Sequence, residues 1–163
     1  MTDPGFAIRA ARRDDAACLA RLNASVHARH REARPDFFKA AQQEEVIAWF
    51  QSLLEKPSTR CWLAETGAEP VGYLLMREYQ RPENTFCLAR HWHEIDQVAV
   101  EAAFRRRGIG RALVQTALTA ARATGARDVE LASWWFNTEA HAMFQRCGFL
   151  PRLLRFDLAL VQR

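Results

Sequence analysis

The chain has 163 residues, 49% of them apolar and 26% charged, with a net charge of +4, which suits one domain over residues 1–163 around one hydrophobic core, without internal repeats or low-complexity tracts. The start, Met1 to Phe6, lacks a basic region followed by an apolar run, and no apolar stretch approaches the roughly 20 residues that span a bilayer, so neither a secretory signal nor a membrane span is expected. Cys18, Cys61, Cys87 and Cys147 lie far apart with no CxxC pair and no nearby His at ligand spacing, which predicts free thiols in a reducing cytoplasm and no bound metal.

Phe6, Ile8 and Ala10 alternate with Ala7 and Arg9, predicting a short first strand. Asp14 and Asp15 stand as helix caps before Cys18, Leu19, Leu22 and Val26, which mark one helix face. Residues 27–39 are polar and end in Pro35 and Phe37-Phe38, so they read as a loop or broken helix. Val46, Ile47, Phe50, Leu53 and Leu54 form a 3.6-residue stripe for a second helix, which Pro57 stops. Arg60–Glu65 and Val71–Glu78 read as strands joined by a turn at 66–70. A polar loop at 79–90 precedes a strand from His93 to Val100. A loop rich in Arg and Gly then opens a long helix with Leu113, Val114, Ala117, Leu118 and Ala121 on its apolar face and Gly125 as its stop. Asp128–Phe136 reads as a strand, Thr138–Cys147 as a short helix ended by Gly148, and 149–161 as a strand in which Leu154, Phe156, Leu158 and Leu160 alternate. This order describes a mixed α/β sheet with helices on both faces.

The segment with most chemical content is 95–113, IDQVAVEAAFRRRGIGRAL. A strand ends at Val100, and Arg105-x-x-Gly108-x-Gly110 opens a helix. The first N–H groups of a helix have no internal partner and sit at the positive end of its dipole, and glycines let the backbone come close to a ligand. Together they make an anion site suited to a pyrophosphate, with Arg105, Arg106 and Arg107 adding charge. The third glycine of a dinucleotide fingerprint and the Gly-Lys-Ser/Thr of a P-loop are both missing.

Here the sequence resembles the GNAT superfamily of N-acetyltransferases. The family's acetyl-CoA signature, Q/R-x-x-G-x-G/A after a strand, is matched by Arg105, Gly108 and Gly110. A downstream element, an Asn and then A-x-x-x-Y-x-x-x-G-F, is matched by Asn137, Ala140, Phe144, Gly148 and Phe149, with Phe in the Tyr place. The resemblance runs over roughly residues 60–150. It implies an α+β fold with a mixed, mostly antiparallel sheet of six to seven strands, helices on both faces, and a splay between the fourth and fifth strands. It implies that the backbone of Val98, Ala99 and Val100 holds the pantetheine arm of acetyl-CoA. The N–H groups of Arg105, Arg106, Arg107, Gly108, Ile109, Gly110 and Arg111 would cradle the pyrophosphate. Asn137 would bond the pantetheine side, and Phe144 would flank the cofactor.

An amine attacks only as the free base, and an alkyl ammonium has a pKa of about 10.4, so a group or water chain must take its proton. Glu94 and Asp96 are the candidates, with His93 behind them; they share a strand face that Ile95 and Gln97 do not. Phe144 cannot serve as the tyrosine acid of the family, which leaves water or His141, on the same helix face as Asn137 and Phe144, to protonate the thiolate. Cys147 lacks His and Asn/Asp partners for a nucleophile. The loops His27–Lys39 and Tyr79–Trp92 are expected to cover the acceptor site, and Trp134, Trp135 and Phe136 to include core residues. The expected activity is transfer of acetyl from acetyl-CoA to an amine of a small molecule or protein, with a homodimer left open. A non-catalytic acyl-CoA-binding module is the alternative. A nucleic-acid binder, encouraged by the charge, lacks an aromatic-plus-basic strand motif.

Overall fold

The computed structural model describes residues 5–158 and 160. Among them the order is β1 (Ala7–Ala10), α1 (Ala16–Ala33), α2 (Gln43–Leu54), β2 (Thr59–Thr66), β3 (Glu69–Arg81), β4 (Arg90–Val100), α3 (Ile109–Ala123), β5 (Asp128–Leu131) and α4 (Thr138–Arg146). Short 3₁₀ turns at Arg13–Asp15 and Ala102–Phe104 lead into α1 and towards α3. The strands lie in sequence order, antiparallel from β1 to β4, with β5 parallel to β4.

The pleat sends alternate residues of β3 to opposite sides, and each side has its own helices. Tyr73 and Leu75 join Leu19, Leu22, Phe50 and Leu53 under α1 and α2. Leu74 and Met76 join Ile95, Leu113, Val114 and Phe144 under α3 and α4. The predicted stripe of α3 is the buried one: Leu113, Val114, Ala117 and Ala121 are all covered. Each fully buried Leu or Val contributes about 1.5–3 kcal/mol, so these stripes decide which face of each helix meets the sheet.

Several boundaries differ from the sequence reading. Residues 27–33 continue α1 as helix, because nothing before Pro35 interrupts it; Pro35 then forces Arg34 out of helical geometry, at φ −140°. β3 runs on to Arg81 and β4 starts at Arg90, so the 79–90 loop shrinks to 82–89. The polar composition concealed this extension, which is held by side-chain pairs across the ladder: Tyr79 and Trp92 stack at 5.4 Å, with Arg90 4.7 Å above Trp92. β5 stops at Leu131 because residues 134–137 turn, Asn137 N–H bonding Trp134 O at 2.9 Å. The alternating tail forms no strand at 149–158 or 160, although the outer edge of β5 carries no strand among the described residues, and Leu154, Phe156, Leu158 and Leu160 stay exposed. Ala159, Val161 and the first four residues lie outside the described residues. The sheet therefore has five strands among the described residues, not six or seven.

Candidate active site

β4 and β5 pair over only four positions, from Trp92↔Asp128 to Ile95↔Leu131. β4 then continues five residues to Val100, while the chain leaves β5 for α4. That is the splay expected between the fourth and fifth strands. The β4 edge at Val98, Ala99 and Val100 is paired with β3 on one side and, among the described residues, with no strand on the other. An unpaired strand edge offers backbone donors and acceptors to an extended ligand.

At the end of this edge the chain turns into α3. Arg105 Nε donates to Val100 O at 3.0 Å, which anchors the loop to the strand. Arg106 is left-handed at φ 62°, and Gly108, the N-cap of α3, at φ 85°. Among the described residues no backbone hydrogen bond uses the N–H of Arg106, Arg107, Gly108, Ile109, Gly110 or Arg111. No ion pair engages Arg105, Arg106, Arg107 or Arg111 among them either, whereas Arg9, Arg21, Arg77 and Arg90 are all tied to carboxylates. Free amides, a helix dipole and unneutralised guanidinium groups thus meet at one place.

Glu94 and Asp96 flank the point where β4 and β5 part. Leu75 pairs with Gln97 and Met76 with Ile95, so Asp96 is the extra residue of a β-bulge. Asp96 is gripped by Arg77, whose Nη2 donates to Oδ1 at 2.9 Å. Glu94 lies opposite Arg77 and is half-buried. Burial first, and then the neighbouring Asp96, push the Glu94 carboxyl above its ordinary value. The bulge corrects one expectation: Gln97 faces the α1–α2 side, where its Oε1 accepts from the Tyr73 hydroxyl at 2.7 Å. His93 does not back the carboxylates. It is fully buried on the α3 face, with Nε2 2.9 Å from Thr124 Oγ1.

The downstream residues separate into distinct roles. Asn137 is the N-cap of α4 but makes no side-chain cap bond, so its amide is not committed to the helix end. His141 Nε2 lies 3.1 Å from Ser133 Oγ. Phe144 is buried, with its ring 6.0 Å from Phe149. Burial pushes the Cys147 thiol up, and its sulfur contacts Met143, neither of which activates it as a nucleophile. None of Trp134, Trp135 and Phe136 is buried, against expectation; Trp135 is 77% exposed. Instead Trp134 meets Phe37 and Phe38 at 5.2 and 5.5 Å, and Phe136 meets His30 at 5.8 Å. His27 Nε2 lies 2.8 Å from Lys39 O, which ties the loop after α1 back onto the helix. Of the two loops expected over the acceptor site, the first therefore packs on residues 134–136. Tyr79 and Trp92 sit in strands.

Some residues escaped the sequence reading. A Cβ on Gly72 would lie 2.9 Å from Ala99 O, so β3 and β4 approach there only because position 72 has no side chain. A glycine inside a strand pattern was the available signal. Arg77 carried none, because its role depends on the bulge.

A family model described as Acetyltransferase (GNAT) family matches residues 26–149. A protein named N-acetyltransferase family 8 member 3, from Rattus norvegicus, is 33% identical over 88 residues, which are 54% of this chain and 37% of the relative. The chain thus spans well under half of that relative's length. The structure of the BH1408 tetramutant from Bacillus halodurans superposes with a TM-score of 0.90 at 22% identity, covering 94% of this chain and 99% of that one. The aminoglycoside N-acetyltransferase AAC(6')-Iy, in complex with CoA, superposes with a TM-score of 0.73 at 15% identity, covering 96% and 95%. At these identities the two structures share the fold.

Proposed function

The chain belongs to the GNAT acetyltransferase family, and from that membership we propose that it is an acetyl-CoA-dependent N-acetyltransferase acting on an amine. The observation that carries the reading is the notch where β4 outlasts β5 and runs into a left-handed turn of free amides. Acetyl-CoA supplies the acetyl group as an activated thioester. The backbone of Val98 to Val100 holds its pantetheine arm, and the amides of 106–111 with the arginines of 105–111 hold its pyrophosphate, the Arg105 amide, expected in the cradle, donating instead to Ala102 O at 3.3 Å; the Asn137 amide bonds the arm from the α4 side.

Glu94 takes the proton of the acceptor amine. Two features support this choice over Asp96: Arg77 already occupies the Asp96 carboxylate, and burial raises the proton affinity of Glu94 towards the range where a base works near neutrality. Asp96 and Arg77 position Glu94 and set its field. Transfer is direct, since burial raises the Cys147 thiol and its sulfur lies against Met143 rather than a base. Phe144 donates no proton, so water or His141 protonates the departing thiolate, whose thiol pKa of about 8.5 makes it a tolerable leaving group. The four unpaired cysteines suit a reducing cytoplasm. No helix among the described residues is long and apolar enough to cross a membrane.

A second reading, an acyl-CoA-binding module without catalysis, is favoured by the burial of Phe144 at the tyrosine place. Thermal melts with acetyl-CoA, followed by thiol release across a panel of amines, separate the two; aminoglycosides enter that panel because a structural neighbour bears that name. Acetyl-CoA at 100 times its dissociation constant should stabilise the fold by about 2.7 kcal/mol. An unmoved melt counts against both readings. A shifted melt without turnover, combined with activity created by Phe144→Tyr, selects the second.

A further inference from the structure

Glu78, His91 and His93 converge on the α3 face of the β3–β4 hairpin, opposite the face of Glu94 and Asp96. One donor atom from each lies within 4.8 Å of the others. His91 Nε2 is 2.7 Å from Glu78 Oε1. The protonation of His93 follows from its neighbours. Thr124 Oγ1 donates its only hydrogen to Ala121 O at 2.8 Å, so at 2.9 Å it must accept from His93 Nε2–H. His93 therefore carries its proton on Nε2 and has a bare lone pair on Nδ1. That Nδ1 is buried and has no partner among the described residues, in a side chain that is 0% exposed. Buried acceptors almost always have a partner, so this one calls for a hydrogen-bond donor or an electron-pair acceptor, and Glu78 and His91 beside it favour the latter. A metal-ligating histidine typically donates its other ring N–H to a fixed acceptor, and Thr124 supplies that here.

We propose that Glu78, His91 and His93 form a site for a divalent first-row ion, zinc above all, which staples β3 to β4 at the end of β4 remote from the phosphate cradle. Two imidazoles and one carboxylate suit zinc and leave a fourth place for water. The surroundings argue against magnesium or calcium. Arg60 faces His93, and Arg81 and Arg127 line the neighbouring concavity of about 530 Å³. A hard cation held by charge alone is repelled there, whereas an ion bonded to imidazole nitrogen is retained. On binding, the ion replaces the proton between Glu78 and His91, whose ring proton moves to Nδ1.

The test uses the full chain stripped with a chelator. Zinc should bind with one saturable equivalent and raise the melting temperature. Cobalt(II) should give the intense visible bands of a four-coordinate nitrogen and oxygen site, without a thiolate-to-cobalt band. His91→Ala and Glu78→Gln, at half-buried positions, should keep the metal-free melt near wild type and weaken zinc by at least about tenfold. Absence of saturable zinc uptake, a thiolate band showing capture by cysteine, or undiminished binding by His91→Ala overturns the proposal. The readouts are independent of acetyl transfer.

Discussion

Replacing Gly72 by alanine places a methyl group 2.9 Å from Ala99 O and 3.2 Å from Val100 Cγ2. The first contact is with backbone, which cannot rotate away, and β3 is fixed to β4 there by the ladder pairs from Tyr73 onward and by the Glu101 N–H to Val71 O bond at 2.9 Å. The strands must separate by several tenths of an ångström. Overpacking of this kind costs about 1–3 kcal/mol, offset by about 0.5–1 kcal/mol because alanine loses less chain entropy than glycine on folding. The net loss, about 1 kcal/mol and no more than about 2.5 kcal/mol, lowers the melting temperature of a chain of this size by roughly 2–10 °C. The displaced atoms belong to Ala99 and Val100, the end of the notch. Affinity for acetyl-CoA, titrated at a temperature where both proteins are folded, should therefore fall as well. A variant that melts at or above wild type refutes the close approach. One that melts lower but binds unchanged refutes its transmission to the cradle.

The adjacent glycine of the turn makes a contrast, because a Cβ on Gly110 meets nothing nearer than Val100 Cγ2 at 3.8 Å: Gly110→Val should weaken acetyl-CoA binding by calorimetry while moving the melt little, and unchanged affinity would place the phosphates elsewhere. Arg106 pays about 1–2 kcal/mol for φ 62°, so Arg106→Gly should raise stability in urea by about 0.5–1 kcal/mol after the entropy cost of glycine, and a lower midpoint would contradict this. The folded state holds the Glu94 proton more tightly than the unfolded chain, so stability falls as pH rises from its ordinary 4.5 through the raised folded value. Glu94→Gln should therefore melt higher than wild type at neutral pH and alongside it at lower pH. In kinetics the same variant should lose about 100-fold or more in kcat/KM, together with the wild-type rise in rate with pH. Equal rates would remove Glu94 from the chemistry.

What the sequence disclosed follows a physical division. The helix stripes and the Arg105–Gly110 turn were legible because hydrophobic periodicity and the Gly spacing are local properties. The ends of β3 and β4 were hidden, since Tyr79, Arg90 and Trp92 look like loop residues until they stack across the ladder. The tail was over-read: alternation shows only that a segment can present an apolar face, and among the described residues nothing covers that face. The face of Gln97 was misplaced because a bulge depends on the partner strand, which no single segment reveals.

The bulge at Asp96 also bears on how such a site tolerates insertions and deletions. With Asp96 removed, Ile95 and Gln97 would become consecutive opposite Met76 and Leu75, already adjacent on β3. Each flanking side chain would keep the face it now occupies, Ile95 towards α3 and Gln97 towards α1. The second carboxylate is thus carried by a residue that the ladder does not need, so a lineage can gain or lose it in one codon-sized step while the core on both sides stays in place.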